Sequence, residues 1–294
     1  MTGVPPFDYS PITSRPPMEF PGGARVAVWF GVSVEAYELG RPSTSLAGIT
    51  AMLDPDPLNY SWRDYGARVG IWRMMNLFDR YKLRASVFLS SDAARAYPEI
   101  IAAGNERSWA WLVHGKNNTT FHTGLGVDEE RQSLEEMIET VRAATGQQPL
   151  GWLGPGLTET HNTPELLSEL GVRYLCDWCN DDQPYPLKVG NPLVSVPYTI
   201  EVNDIPMMTY GYAGDSLAGV ITDSFDVLFE EGEQSGRVLG IGLHPFVMGA
   251  PWRHKYFARA LEYMDRFRDD VWFTTSDEIA AWYLDTYYER DRSR

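Results

Sequence analysis

Short apolar runs alternate with helix-like segments along almost the whole chain. From Arg25 to Phe30 the run is nearly continuous, which is typical of a parallel strand covered on both faces. Further strands are predicted at 85–89, 109–113, 150–153, 173–176, 193–196, 238–243 and 271–274. Between them, apolar stripes predict helices that include 91–103, 134–146, 215–234 and 257–264. This alternation favours one α/β domain with a parallel sheet.

Local signals place several helix ends. Thr163, Pro164 and Glu165 combine an N-cap, a first-turn proline and a first-turn acid, so a helix begins there. Gly146 is a predicted C-terminal cap. Thr275 has a glutamate three residues later, which is the capping-box pattern. Another apolar stripe predicts a helix through Val69, Trp72, Met75 and Phe78.

The chain divides into a short arm and one large domain. Residues 1–23 are rich in proline and turn formers, and we interpret them as an N-terminal arm. Residues 24–294 are predicted to be a single α/β domain, its parallel sheet closed as a barrel or open, because α/β barrels commonly exceed 200 residues as one unit.

Charge and targeting signals narrow the class of partner. The chain has 294 residues and a net charge of −15, which argues against nucleic acid and anionic membranes. Neither a signal-peptide pattern nor an apolar run of membrane-spanning length is evident. We therefore expect a cytoplasmic protein with a small-molecule substrate. The two cysteines, Cys176 and Cys179, are interpreted as structural thiols in a reducing compartment.

Polar residues follow several predicted strands, where barrels of this kind carry their chemistry. Glu35 follows the first strand, His114 the third and His244 the strand at 238–243. An acid and two histidines that converge on one end of a barrel predict catalysis. We assign Glu35, His114 and His244 as the catalytic residues.

The motif order resembles the polysaccharide deacetylase superfamily over about residues 25 to 275. The closer likeness is to the branch of metal-independent allantoinases and cyclic imide hydrolases. The segments that carry this likeness are 151–155 (GWLGP), 177–184 (DWCNDDQP), 196–198 (VPY), 201–204 (EVND) and 243–245 (LHP). The resemblance implies a distorted (β/α) barrel of about seven parallel strands and a homo-oligomer, commonly a tetramer.

The chain departs from the deacetylase motifs where those enzymes bind metal. They have two aspartates after the first strand, where this chain has Ser33 and Glu35. Their second motif histidine is replaced by Asn118, and their third-motif arginine by Leu153. A borderline metal needs three good N or O ligands, and a neutral amide is a poor third. We therefore expect no cofactor, with a divalent metal such as zinc as the alternative.

These observations predict a hydrolase for a non-peptide C–N bond of a small cyclic amide, imide or ureide. Glu35 or His114 would activate water, and His244 would protonate the leaving nitrogen. Backbone N–H groups near Gly115 or Gly154 would support the oxyanion. The alternatives are a metal-dependent N-deacetylase of an acetylated amino sugar or peptidoglycan, and a non-catalytic ligand-binding barrel.

Five further residues are assigned to substrate binding. Glu201 and Asn203, with Asp204 beside them, lie within the resemblance, as do Trp152 and Asp182; Arg253 follows the His244 strand. Each assignment has a structural alternative. Glu201 and Asn203 could lie in a solvated loop, and Trp152 could pack in the core. Asp182 could be an exposed turn residue without a function, and Arg253 could lie on a helix surface.

Overall fold

The computed structural model describes residues 4–39 and 46–292. In this part of the chain the strands form one curled sheet with the order β6-β7-β5-β4-β3-β2-β1-β8, and β9 pairs with β1. The strands are β1 Val26–Val34, β2 Ala85–Leu89, β3 Ala110–Val113, β4 Gly151–Trp152, β5 Tyr174–Leu175, β6 Tyr185–Pro186, β7 Val194–Ser195, β8 Arg237–Leu243 and β9 Val271–Phe273.

The apolar first strand lies inside this sheet, between β2 and β8. All nine residues of β1 are buried, and the strand pairs in parallel with β2, β8 and β9. Along the sheet order, seven strands from β7 to β8 run parallel, and only β6 at the edge is antiparallel. The predicted barrel of about seven parallel strands is confirmed.

Two loop segments bridge the seam between β8 and the opposite edge of the sheet. At the amino end of β8, the amide of Val238 donates to the carbonyl of Asp182 at 2.8 Å. At the carboxyl end, Gly242 donates to the carbonyl of Val202 at 2.9 Å, and Asn203 forms a bridge with Gly242. These contacts make the curled sheet a distorted barrel.

The helices cover the outside of the sheet. They are α1 Pro57–Tyr65, α2 Ile71–Tyr81, α3 Ser91–Ala96, α4 Pro98–Glu106, α5 Val127–Thr145, α6 Thr163–Glu169, α7 Asp204–Thr209, α8 Asp215–Glu231, α9 Pro245–Met248, α10 Pro251–Asp265, α11 Ser276–Thr286 and α12 Tyr288–Arg292. Within the described residues, no helix is both long and apolar enough to cross a bilayer.

Two helix predictions need correction. The single helix predicted at 91–103 is two helices, because Pro98 begins a new one and cannot continue the first. The predicted apolar stripe is wrong for Val69 and Trp72, which are exposed, but Met75 and Phe78 are buried as predicted. Two cap predictions are confirmed: Gly146 has φ 72°, and the Thr275 side chain accepts from the Glu278 amide. The third is wrong by one residue, because α6 begins at Thr163 with Asn162 as its N-cap, and the Thr163 hydroxyl donates to Glu130 instead.

Candidate active site

Three predicted residues meet at the carboxyl end of the barrel. His114 follows β3, Glu35 follows β1 and His244 follows β8. Glu35 Oε1 lies 3.2 Å from His114 Nε2 and 3.7 Å from His244 Nε2. All three side chains are buried. The structure thus gathers one carboxylate and two imidazoles into a single contact cluster, which we call the Glu35–His114–His244 cluster.

Asn118 completes this cluster. Its Nδ2 lies 2.7 Å from Glu35 Oε1 and 3.0 Å from His114 Nε2. The loop is fixed because the Asn118 amide donates to the carbonyl of Ala36 at 3.0 Å. An amide N–H₂ group has two protons, so one side chain can donate to both neighbours.

The hydrogen bonds of His114 indicate its tautomer. Its Nδ1 lies 2.6 Å from the carbonyl oxygen of Leu153, which can only accept. In the neutral ring the proton therefore resides on Nδ1, and the lone pair of Nε2 accepts from Asn118 Nδ2.

His244 is held by Asp204 at the start of α7. Asp204 Oδ1 accepts from His244 Nδ1 at 2.7 Å, and Oδ2 accepts from the His244 backbone amide at 2.7 Å. The Nε2 edge of the ring consequently faces Glu35. Sequence reasoning grouped Asp204 with the substrate contacts, but the structure places this carboxylate behind His244.

In this cluster, burial and neighbouring charges have opposite effects on the pKa values of Glu35 and His244. Burial raises the pKa of Glu35, but the charge of His244 and the hydrogen bond from Tyr37 outweigh burial and lower it to about 2. Burial lowers the pKa of His244, but the charges of Asp204 and Glu35 outweigh burial and raise it. At neutral pH, Glu35 is therefore a carboxylate, and its charge and that of Asp204 favour the protonated form of His244.

A second layer supports Glu35. The hydroxyl of Tyr37 donates to Glu35 Oε2. The guanidinium carbon of Arg63 lies 4.0 Å from the centre of the Tyr37 ring, a cation–π contact. Burial and the Glu35 charge raise the pKa of Tyr37 well above its usual value, so its hydroxyl remains a donor.

Trp152 and Asp182 are not part of the cluster, contrary to their assignment as substrate-binding residues. Trp152 has no exposed surface and packs edge-on against the His122 ring, so the core-packing interpretation holds. Asp182 lies beside Val238 at the amino end of β8, whereas His244 follows the carboxyl end. A strand of seven residues separates the two positions.

The other three predicted contacts also lie at the edge of the cluster or beyond it. Glu201 is exposed. Asn203 donates to the Tyr198 hydroxyl and accepts from the Ile205 amide, so its polar atoms serve the fold. Arg253 lies in α10, with its guanidinium carbon 4.3 Å from the centre of the Trp252 ring. Burial lowers the pKa of Arg253 more than the charge of Asp204 raises it. Of these three side chains, only Arg253 stays near the His244 end of the site.

The donor set does not fit a catalytic metal. Across residues 4–39 and 46–292, no group of three or more His, Cys, Asp and Glu side chains is arranged to hold an ion. Where a third ligand would be required, the chain has Asn118, whose neutral amide is a poor ligand for such a metal and whose Nδ2 lies against Glu35 and His114. Gly154 is also removed as an oxyanion donor, because its N–H bonds Asp177 at 2.7 Å.

Fold and site together define a hydrolase of C–N bonds, and comparisons with known proteins give its family. The polysaccharide deacetylase model matches residues 58–175. A putative polysaccharide deacetylase of Schizosaccharomyces pombe is 29% identical over 244 residues, 74% of each chain.

Two solved structures match nearly end to end. PuuE allantoinase is 30% identical with a TM-score of 0.84, over 96% of this chain and 99% of that one. A probable polysaccharide deacetylase from Pseudomonas aeruginosa PAO1 is 29% identical with a TM-score of 0.84, over 93% and 95%. The chain belongs to the polysaccharide deacetylase family.

Proposed function

We propose that this protein hydrolyses a C–N bond of a small cyclic amide, imide or ureide, and that it does so without a catalytic metal. The observation that carries the proposal is Asn118, whose amide nitrogen bonds Glu35 and His114. A neutral donor here ties the carboxylate and the imidazole together, where a deacetylase of this family would use a cation and a second histidine.

Without a Lewis acid, the substrate carbonyl itself must be easy to attack. Ring strain, or a second carbonyl on the same nitrogen, provides this in cyclic amides and imides. An unstrained N-acetyl group has neither. The solved relative named as an allantoinase supports a ureide ring among the candidates.

His114 is the base that this geometry favours for water activation. A general base works best when its proton affinity is matched to the working pH, and a carboxylate whose pKa is about 2 is a weak base. The lone pair of His114 Nε2 takes the proton from water. Glu35, 3.2 Å away, then stabilises the imidazolium that forms.

His244 is the acid for the leaving nitrogen. The charges of Asp204 and Glu35 raise its pKa and so favour its protonated form, and Asp204 directs its Nε2 edge toward the cluster. Protonation of the departing nitrogen prevents the tetrahedral intermediate from expelling water instead. After these steps His114 holds the proton taken from water and His244 has lost one to the leaving nitrogen. One proton must then pass from His114 to His244, whose Nε2 atoms both lie beside Glu35 Oε1, to restore the starting state.

One experiment tests the proposal against the N-deacetylase alternative. The purified protein is assayed on hydantoins, cyclic imides, allantoin and N-acetyl amino sugars, and its metal content is measured in parallel. We expect hydrolysis of a ring amide that survives exhaustive chelation. Loss of activity on chelation, restored by about one equivalent of zinc, would establish the deacetylase mechanism. Binding of a ring amide without turnover would indicate a non-catalytic barrel.

A further inference from the structure

Two carboxyl groups lie buried behind His114, and the mechanism above uses neither. Asp177 follows β5 and is 9% exposed. Glu159 lies in the loop after β4, and the two side chains hydrogen bond to each other. We call these residues the Glu159–Asp177 pair.

The pair holds a proton. A carboxylate only accepts hydrogen bonds, so a bond between two carboxyl groups requires a proton on one of them. With both ionised, Asp177 Oδ2 and Glu159 Oε1 would be buried without a donor, an arrangement that costs folding free energy.

The surroundings place this proton on Glu159. Burial and the charge of Asp177 raise the pKa of Glu159. Burial also raises the pKa of Asp177, but bonds from Glu159 and the Gly154 amide offset part of that effect. Asp177 is therefore the charged member. The titratable groups that face the pair are Glu130, Tyr185, His114, Cys176 and Cys179.

One peptide group joins the pair to His114. Asp177 Oδ1 accepts from the amide of Gly154 at 2.7 Å. The carbonyl of Leu153, in the same peptide, accepts from His114 Nδ1 at 2.6 Å. A negative charge at the N–H end polarises a peptide and makes its carbonyl a better acceptor. The orientation of the His114 ring thus depends on the charge and position of Asp177.

We propose that Glu159 is a positioning residue, which donates its proton to Asp177 and thereby fixes His114 with the proton on Nδ1 and the lone pair on Nε2. This inference rests on the proposed function, in which that lone pair takes the proton of water. It makes Glu159 necessary for the correct tautomer, although its side chain does not touch the Glu35–His114–His244 cluster.

The test uses the full chain labelled with ¹⁵N-histidine, since the nitrogen shifts of the five histidines report their tautomers. The variants are Glu159→Ala, which removes the donor, and Glu159→Gln, whose amide keeps it. Glu135→Gln, on the exposed face of α5, is the control for the same chemical change. Steady-state kcat and KM are measured on the best ring-amide substrate.

We expect Glu159→Ala to mix the two tautomers of His114 and to lower kcat about 10-fold with little change in KM. Glu159→Gln should retain the wild-type tautomer and most of kcat. As the pH becomes alkaline, the wild type should lose the fixed tautomer when Glu159 ionises, whereas Glu159→Gln should keep it.

A wild-type tautomer in Glu159→Ala would overturn the inference. If that variant does not fold, parallel loss of the tautomer in the wild type and Glu159→Gln at alkaline pH would overturn it equally. The nitrogen shifts need no substrate, so failure to hydrolyse ring amides refutes the proposed function alone. Normal turnover with an unchanged tautomer in Glu159→Ala refutes only the role of Glu159.

Discussion

At the scale of single residues, the charge of the site depends most on Glu35. Among the described residues, Glu35 carries the only carboxylate that contacts both His114 and His244. Asp204 contacts only His244, from the opposite edge of the ring. Removal of one negative charge at Glu35 therefore affects both imidazoles at once.

We predict that Glu35→Gln lowers kcat by about 100-fold or more, because the charge that stabilises the imidazolium form of His114 is lost. The amide keeps the shape of the side chain, so the circular dichroism spectrum should remain native. Glu135→Gln is the matched control and should keep wild-type turnover. Near-normal kcat in Glu35→Gln would mean that the chemistry occurs elsewhere on the barrel.

Asp204→Asn tests whether His244 is the acid. The charges of Asp204 and Glu35 raise the pKa of His244 against the effect of burial. Removal of the Asp204 charge lowers that pKa, so His244 loses its proton at a lower pH. The alkaline limb of the kcat profile should therefore move toward lower pH.

The control for this variant is Asp269→Asn, an exposed aspartate far along the chain. If the alkaline limb of Asp204→Asn coincides with that of the wild type, His244 does not set the limb. A His244→Ala variant with more than about a third of wild-type turnover would exclude it as the acid altogether, since a general acid contributes about 10²–10⁴-fold.

At the scale of elements, helix α7 holds His244 in position through Asp204, and the side chain of Asn203 caps the start of this helix. Asn203 accepts from the Ile205 amide as the N-cap of α7, and Asp204 is the next residue. We predict that Asn203→Ala destabilises the protein by about 1 kcal/mol, the usual cost of losing such a cap. It should also lower kcat, because Asp204 loses its fixed position.

Asn203→Ser distinguishes the cap from substrate contact, since serine also caps helices. Denaturant unfolding and kcat are measured together. We expect Asn203→Ser to restore most of both quantities. If it instead restores stability but raises KM strongly, Asn203 contacts the substrate as the sequence first indicated.

The elements were predictable wherever one physical signal dominated. Strands 85–89 and 238–243 were placed nearly to the residue, because buried parallel strands require continuous apolar runs. The strand-end rule also found Glu35, His114 and His244. The family resemblance misplaced Trp152 and Asp182, because a motif gives neither the face of a two-residue strand nor the path of a loop. The Glu159–Asp177 pair left no local pattern in the sequence.

At the scale of the whole molecule, the family resemblance predicts a homo-oligomer, commonly a tetramer. Ile49 and Met52, three residues apart, are 90% and 86% exposed, and neighbouring exposed apolar side chains are a feature of protein–protein contact surfaces. Light scattering after size exclusion should give a mass that is a multiple of the chain mass. A monomer at all concentrations would contradict this prediction.

The N-terminal arm packs against the barrel. Met18 and Phe20 are 4% and 3% exposed, and the Phe20 ring lies 4.8 Å from the Trp282 ring centre. Arg15 forms an ion pair with Asp181 at the same end of the fold. The arm therefore contributes to the folded core of its own chain.

Phe20→Ala should accordingly lower the free energy of unfolding by about 3–5 kcal/mol, the usual cost of truncating a buried phenylalanine. Tyr9→Ala is the matched control on the same arm, because Tyr9 is 91% exposed and its loss should change stability little. Both variants are compared by denaturant unfolding, with the oligomeric mass measured alongside. Because Phe20 packs on Trp272 and Trp282 of the same chain, the loss should appear without any change in mass. Equal stability of the two variants would show that the arm is not part of the folded core, and a loss that tracks dissociation would place Phe20 at a subunit contact.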